Sequence, residues 1–263
     1  MSANSELARL LEHPAIWRGT SAARPEVLPT GFGALDERLP GKGWPRSGLI
    51  EILVSRFGIG ELSLLLPALA ALTRRPMARW CVWVAPGFPI AESGPRPSPI
   101  GRKRPAALST RGQKAGLLPP RLADKRRDFC LLEPFAPALV AHGVVLERVL
   151  VVRIPTSRKA PSRGRAHEAW WAFEQSLGSG ACDVAMAWVR HPRVQDIRRL
   201  QLAAERGRTL GVLFRPQQAA REPSHAALRM RLEPTAHGVC VTLLKSRGGV
   251  HGSIELVLQT TGS

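Results

Sequence analysis

The turn Ser55–Leu62 (SRFGIGEL) lies where an α/β nucleotide-binding protein would hold phosphate, between an apolar run and a leucine-rich run. A working phosphate-binding turn needs glycines that let backbone N–H groups face the ligand. It also needs a lysine for the β- and γ-phosphates and a Ser or Thr hydroxyl for Mg²⁺. Gly58 and Gly60 meet the first need, but Glu61 stands at the lysine position and Leu62 at the hydroxyl position. The side chains of this turn therefore predict that it does not bind the phosphates of a nucleotide.

Glu61 places a negative charge at the position where a working phosphate loop carries the positive charge that attracts a triphosphate. Two like charges about 4 Å apart repel by about 4 kcal/mol at an effective dielectric constant near 20. Glu61 also suits the positive end of the helix predicted after it. We interpret its carboxylate as a replacement for the ligand's negative charge, and expect no ATPase activity, no catalytic residue and no cofactor. A plain strand-to-helix turn with no nucleotide ancestry is the alternative.

No other group of residues suggests catalysis or metal binding. The cysteines, at positions 81, 130, 182 and 240, form no CxxC pair, and the seven histidines are scattered, so we predict no metal. The formal net charge of +18 favours nucleic acid or an acidic protein as a partner. The candidate contacts are Arg198, Arg199 and Arg206 on one predicted helix and Lys245 and Arg247 at the end of a strand. The alternatives are a solvated helix face and an ordinary hairpin end.

The order of apolar runs predicts the elements that position these residues. Strands are expected at 49–54, 80–85, 149–153, 184–189 and 210–214, and helices at 61–73, 135–142, 166–178 and 194–206. Three further strands, at 228–232, 239–245 and 253–259, follow without helices between them. This order predicts an α/β fold: a mostly parallel sheet flanked by helices, with antiparallel strands at its C-terminal end.

Composition divides the chain into a core and appendages. Residues 1–27 are predicted as an N-terminal helix (Ser5–Trp17) and the start of a linker that runs to Pro29, residues 28–258 as the core, and 259–263 as a tail. Residues 91–134, rich in Pro, Gly and basic side chains, are predicted as a flexible insertion. The sequence has neither a membrane-span pattern nor a targeting-peptide pattern, so we expect a cytoplasmic protein, in which association with the nucleoid would follow from DNA contact.

Several segments resemble the RecA-type core. The runs Leu28–Asp36 and Leu39–Glu51 look like the segments that precede the RecA phosphate loop, and Ser179–Trp188 looks like its Walker-B strand. Trp188 stands at the Walker-B aspartate position and cannot bind a metal, and the catalytic glutamate position falls near Pro86. The resemblance implies a RecA-like core that has lost its nucleotide chemistry.

More specifically, the sequence is similar to the ImuA family, the RecA-like accessory proteins of bacterial translesion synthesis. The similarity covers roughly residues 28–90 and 134–258 and includes these segments: 58–69, 134–139, 149–153, 198–205, 213–216, 227–234 and 244–249. It implies a non-enzymatic protein of the DNA-damage (SOS) response. Its partners would be an ImuB-type polymerase relative, a DnaE-type error-prone polymerase and RecA, with sequence-independent DNA contact. Lys245 and Arg247 would then contact a neighbouring RecA-like protomer or DNA. A SulA-like cell-division inhibitor and an ATP-dependent RecA-like recombinase are the alternatives.

Overall fold

The computed structural model of the protein describes residues 26–85, 134–153, 162–189, 192–246 and 252–257, though not the side chains of 162–167. The predicted N-terminal helix, nearly all of the basic insertion, Pro86 and Arg247 lie outside these residues. The domain boundaries predicted above therefore stay predictions.

Ten strands form one large sheet and one small ribbon. The strands are β1 (Val27–Leu28), β2 (Trp44–Pro45), β3 (Gly48–Val54), β4 (Trp80–Val84), β5 (Val149–Val152), β6 (Cys182–Trp188), β7 (Leu210–Pro216), β8 (Leu228–Pro234), β9 (Gly238–Ser246) and β10 (Gly252–Val257). β1 and β2 pair with each other, and the eight others form a sheet in the order β10-β9-β8-β3-β7-β6-β4-β5.

The large sheet is parallel from β5 to β8 and antiparallel from β8 to β10. The change follows from the connections: helical crossovers precede β7, whereas the three residues between β8 and β9 form only a short turn. The predicted α/β class and the antiparallel C-terminal strands are therefore confirmed. The finer expectation of a RecA-like P-loop core stays a prediction.

Helices cover both faces of the sheet. They are α1 (Gly33–Asp36), α2 (Leu66–Thr73), α3 (Ala136–Ala141), α4 (Ser162–Gly178) and α5 (Val194–Gly207), with short 3₁₀ helices at Leu146–Arg148 and Gln217–Arg221. Core residues of α1, α2 and α3 pack on one face with Ile50, Ile52 and Val54. Those of α4 and α5 pack on the other face with Leu49 and Leu213. None of the helices in the described ranges is long and apolar enough to cross a membrane.

The helix after the β3 turn begins later than its leucine spacing predicts. The prediction placed its start at Glu61, but α2 starts at Leu66. The reason is that residues 60–65 form tighter i→i−3 hydrogen bonds, from Ser63 N to Gly60 O (3.0 Å) and from Leu65 N to Leu62 O (2.8 Å). The predicted linker Arg18–Pro29 also differs, because its residues Val27 and Leu28 form β1.

β3 lies inside the sheet, between β7 and β8, and all of its residues are buried. The turn that follows it therefore lies at the carboxyl edge of the parallel strands, beside the ends of β6 and β7. Open α/β sheets bind their ligands at this edge. The sheet thus brings the turn after β3 and Trp188, the last residue of β6, to the same edge.

Candidate functional site

The turn after β3 curls around one of its own side chains. Gly58 and Gly60 have positive φ angles of 84° and 99°, which glycine adopts without strain. The amide of Gly58 donates to Glu61 Oε1 and Oε2 at 2.9 and 3.0 Å, and the amide of Ile59 donates to Oε2 at 2.9 Å. The Glu61 side chain is buried, and the residue is 1% exposed. The carboxylate therefore fills a concavity of backbone amides of the kind that binds anions.

Trp188 completes the enclosure of this carboxylate. Its indole Nε1 donates to Glu61 Oε1 at 3.3 Å, so that the end of β6 is tied to the β3 turn. The ring is buried and lies between Trp83 and Phe214, with centroid distances of 4.8 and 4.7 Å. The position that the resemblance assigns to a metal-binding aspartate is thus occupied by an apolar ring with a single hydrogen-bond donor.

The arrangement offers little to a nucleotide. The two amides that would bind phosphate are engaged by Glu61, and Leu62, at the hydroxyl position, packs against the core. Within the described residues, no group of three or more His, Cys, Asp or Glu side chains could hold a metal ion. A phosphate would have to displace a buried carboxylate held by charge-assisted hydrogen bonds, which are stronger than neutral ones.

The structure does not bring the predicted basic contacts together in one site. Arg198, Arg199 and Arg206 lie exposed on α5, opposite the buried residues of that helix. Arg199 forms an ion pair with Glu174 of α4, in which its Nε lies 3.3 Å from Oε1. Lys245 Nζ donates to the backbone oxygen of Ser224 at 2.8 Å. Arg247 lies outside the described residues, so the role of all five stays a prediction.

A buried ionic network on β3, β7 and β8 is a feature that the sequence analysis did not identify. Glu51 is fully buried, and its Oε1 lies 2.8 Å from Arg215 Nη1. Its Oε2 lies 2.6 Å from Arg229 Nε, a close contact whose direction does not complete a hydrogen bond. Arg215 Nη2 reaches Glu222 at 2.5 Å, and Arg229 donates to the backbone oxygens of Ala219 and Glu222. The sequence does show that Glu51 lies within an apolar strand, which indicates a buried charge. It does not show which residues pair with Glu51, because Arg215 and Arg229 are far away in the chain.

A second unforeseen cluster surrounds Asp183, at the other end of the parallel strands. Arg46, Arg75 and Arg79 all lie within 4.0 Å of its carboxylate. The sequence signal was again an acidic residue inside a buried strand. Burial raises the pKa of the nearby Cys81 thiol to about 12 and also raises that of Cys182.

Comparison with known proteins points away from translesion synthesis. No family model matches the chain. The cell division inhibitor SulA of Edwardsiella piscicida is 35% identical over 96 residues, which are 35% of this chain and 52% of that protein. The same-named protein of Photorhabdus laumondii is 39% identical over 61 residues, 23% of this chain and 34% of that protein. The chain thus spans about half or less of the curated relatives it matches.

A crystal structure of SulA from Pseudomonas aeruginosa overlaps 64% of this chain and 97% of its own. Its sequence identity is 16% and its TM-score is 0.33, an overlap too weak to bear on fold or function.

These relatives overturn the family and partners inferred from sequence. The assignment to the ImuA family is wrong, and so is the function it implied, an accessory role in translesion synthesis. The expected partners, ImuB-type and DnaE-type proteins, RecA and DNA, are withdrawn with it. Some of the residues that carried the resemblance, such as Leu213 and Phe214, are buried, and a core position does not report on the partner. The expectation of a non-enzymatic protein agrees with relatives that are named as inhibitors.

Proposed function

We propose that this protein is a SulA-like inhibitor of bacterial cell division that acts in the cytoplasm during the SOS response. The observation that carries the proposal is the identity of 35% over 96 residues to a curated cell division inhibitor. A second relative of the same name supports it. A non-enzymatic inhibitor has to act through binding, so its target would be a protein of the division apparatus.

We also infer that the β3 turn is the remnant of a phosphate-binding turn and that inhibition needs no nucleotide. The support is the position of the Glu61 carboxylate, which accepts the amides of Gly58 and Ile59 that a phosphate would otherwise engage. Titration of the protein with ATP and Mg²⁺ in a calorimeter tests this inference. We expect no heat of binding at millimolar nucleotide, and micromolar affinity would overturn it.

Induced expression in a bacterium that lacks its own division inhibitor tests the main proposal. We expect cell mass and DNA content to keep rising while septa fail to form, so that cells become filaments with several separated nucleoids. Continued increase in mass separates a block of division from general toxicity.

A core variant provides the matched control. Phe173 is fully buried against the sheet, so Phe173→Asp should unfold the protein and leave cells at normal length. Normal septation in cells that contain soluble, folded wild-type protein would overturn the proposal. Filamentation caused equally by the unfolded variant would overturn it as well, because the effect would not depend on the fold.

A further inference from the structure

Three arginines surround one carboxylate at the amino end of β6. The Asp183 side chain is 3% exposed, and its Oδ1 lies 3.2 Å from Arg79 Nε, 3.9 Å from Arg46 Nη2 and 3.9 Å from Arg75 Nη1. These side chains come from three separate parts of the chain: the residues after β2, the turn after α2 and the residue before β4. One negative charge therefore faces three positive charges.

Arg79 connects the Asp183 carboxylate to the neighbouring backbone. Its backbone amide donates to Asp183 Oδ2 at 2.9 Å, and its Nε donates to Oδ1. Its terminal nitrogens donate to the backbone oxygens of Gly180, Gly207 and Arg208 at 2.9, 3.2 and 2.7 Å. Arg79 thus ties the ends of α4 and α5 to β6, and its donors are largely occupied.

Arg46 and Arg75 are in a different position. At 3.9 Å they are within ion-pair range of Asp183 but beyond hydrogen-bond range, and neither guanidinium contacts another partner among the described residues. Their side chains are 26% and 47% exposed, so both reach solvent. Both guanidinium groups lie 3.9 Å from the same Asp183 oxygen, so a second carboxylate placed beside that oxygen would accept from both.

Two exposed apolar side chains follow Arg75 closely in the chain. Ala78 N donates to Arg75 O at 3.1 Å, which closes a turn with Pro76 at its second position, and Ala78 is buried beneath it. Met77, at the third position, is 88% exposed, and Trp80 follows at 42% exposed. Arginine, tryptophan and methionine are the residue types enriched in protein–protein interfaces.

We propose that Arg46, Arg75, Met77 and Trp80, here named the Met77 patch, form the docking surface for an acidic protein partner. A partner carboxylate would accept hydrogen bonds from Arg46 and Arg75, while an apolar partner side chain would pack on Met77 and Trp80. The net charge of +18 favours an acidic partner. An acidic protein fits better than nucleic acid, because an exposed methionine adds nothing to phosphate binding. The proposed function enters only in the identity of the partner, which would be a protein of the division apparatus.

A direct binding measurement tests the chemistry. The probe is a fluorescein-labelled glutamate-rich peptide with one central leucine, and its anisotropy is titrated with full-length protein at near-physiological salt. Arg46→Gln with Arg75→Gln should weaken binding by roughly tenfold or more, as expected for losing charged contacts at an interface. The matched control removes the same charge from exposed Arg56 and Arg221, near the carboxyl edge of the sheet, and should change affinity less than twofold, as a rough guide.

Two outcomes would overturn the assignment. If both double variants weaken the peptide equally, the binding reflects only the general positive charge of the chain. If a labelled DNA duplex loses affinity through the patch variant while the peptide does not, the surface belongs to nucleic acid. Thermal melts of both double variants should match the wild type, because Arg79 still pairs with Asp183 in the patch variant and the two control residues are exposed.

The division assay then separates this proposal from the proposed function. Met77→Glu places a negative charge on the patch and should abolish filamentation, whereas Leu202→Glu, at a residue of α5 that is 55% exposed, should not. If wild-type protein blocks septation but Met77→Glu does so equally well, the patch is wrong and the function stands. If wild-type protein fails to block septation, the function is wrong, and the peptide measurement still decides the surface.

Discussion

Removal of the Glu61 carboxylate is the sharpest test of how the β3 turn is held together. Glu61→Ala takes away the acceptor for two part-buried backbone amides and for the buried Trp188 indole. A hydrogen bond to a charged group contributes about 1.5–3 kcal/mol net, and an orphaned buried donor costs a similar amount. We therefore expect the free energy of unfolding to fall by about 3–6 kcal/mol, or roughly 10 °C in Tm for a domain of this size.

Calorimetry or circular dichroism melts would measure this loss, with Glu37→Ala as the matched control. Glu37 is exposed, so its removal should change the free energy of unfolding by at most about 0.5 kcal/mol. Glu61→Gln keeps the shape of the side chain but loses its charge and one acceptor oxygen, and should fall between the wild type and Glu61→Ala. A Glu61→Ala variant as stable as the Glu37→Ala control would refute the reasoning.

Inorganic phosphate provides a second readout of the same reasoning. If the amides of Gly58 and Ile59 form an anion site that the carboxylate occupies, phosphate should stabilise Glu61→Ala and leave the wild type unchanged. At ten times its Kd, a ligand adds about 1.4 kcal/mol to the free energy of unfolding. Chloride at the same ionic strength is the control, and equal effects of both anions on both proteins would contradict the anion-site interpretation.

Three further variants and conditions test the rest of the core. Glu51→Gln removes the charge between two buried arginines and should lower the free energy of unfolding in urea by about 3–5 kcal/mol. Glu233→Gln, in a half-exposed ion pair, should lower it by at most about 1 kcal/mol. Equal losses in the two variants would contradict the buried character of the Glu51 network. Trp188→Phe keeps the ring stack but loses the indole donor, so the free energy of unfolding should fall by about 1–2 kcal/mol. An unchanged value would show that the hydrogen bond to Glu61 does not stabilise the fold. The pKa of Cys81 is raised from 9.0 to about 12, so the folded state keeps a proton that the unfolded state loses above pH 9. Stability should therefore fall as pH rises from 9 to 12, and less so in Cys81→Ala, while a thiol reagent near neutral pH should label half-buried Cys240 before Cys81.

Much of the fold could be predicted because buried strands and helix faces carry a local signal. The run at 49–54 and the leucines that follow it are apolar at spacings typical of a strand and a helix. The last three strands show the alternation of apolar and polar residues that is typical of antiparallel strands. The start of α2 was misplaced, since the hydrogen bonds that keep residues 60–65 in tight turns leave no trace in the leucine spacing. Trp171 of α4 is 60% exposed, and the residue type alone does not reveal which face of a helix is covered.

The family resemblance failed for a related reason. Packing restricts buried strand residues such as Leu213 and Phe214 whatever partner the protein binds. Partner choice depends on exposed residues instead, and no pattern in the core residues reveals it.

The sequence by itself determined the α/β class and the presence of Glu61 and Leu62 in the β3 turn, where a working phosphate loop carries a lysine and a hydroxyl. Both follow from residue type and local order. Only the tertiary structure decided where charges meet. It brought Glu61 under Trp188, Glu51 between Arg215 and Arg229, and Asp183 among three arginines. Each of these contacts joins residues that are far apart in the chain, and the free energy of burying a charge depends on the partner that the fold supplies.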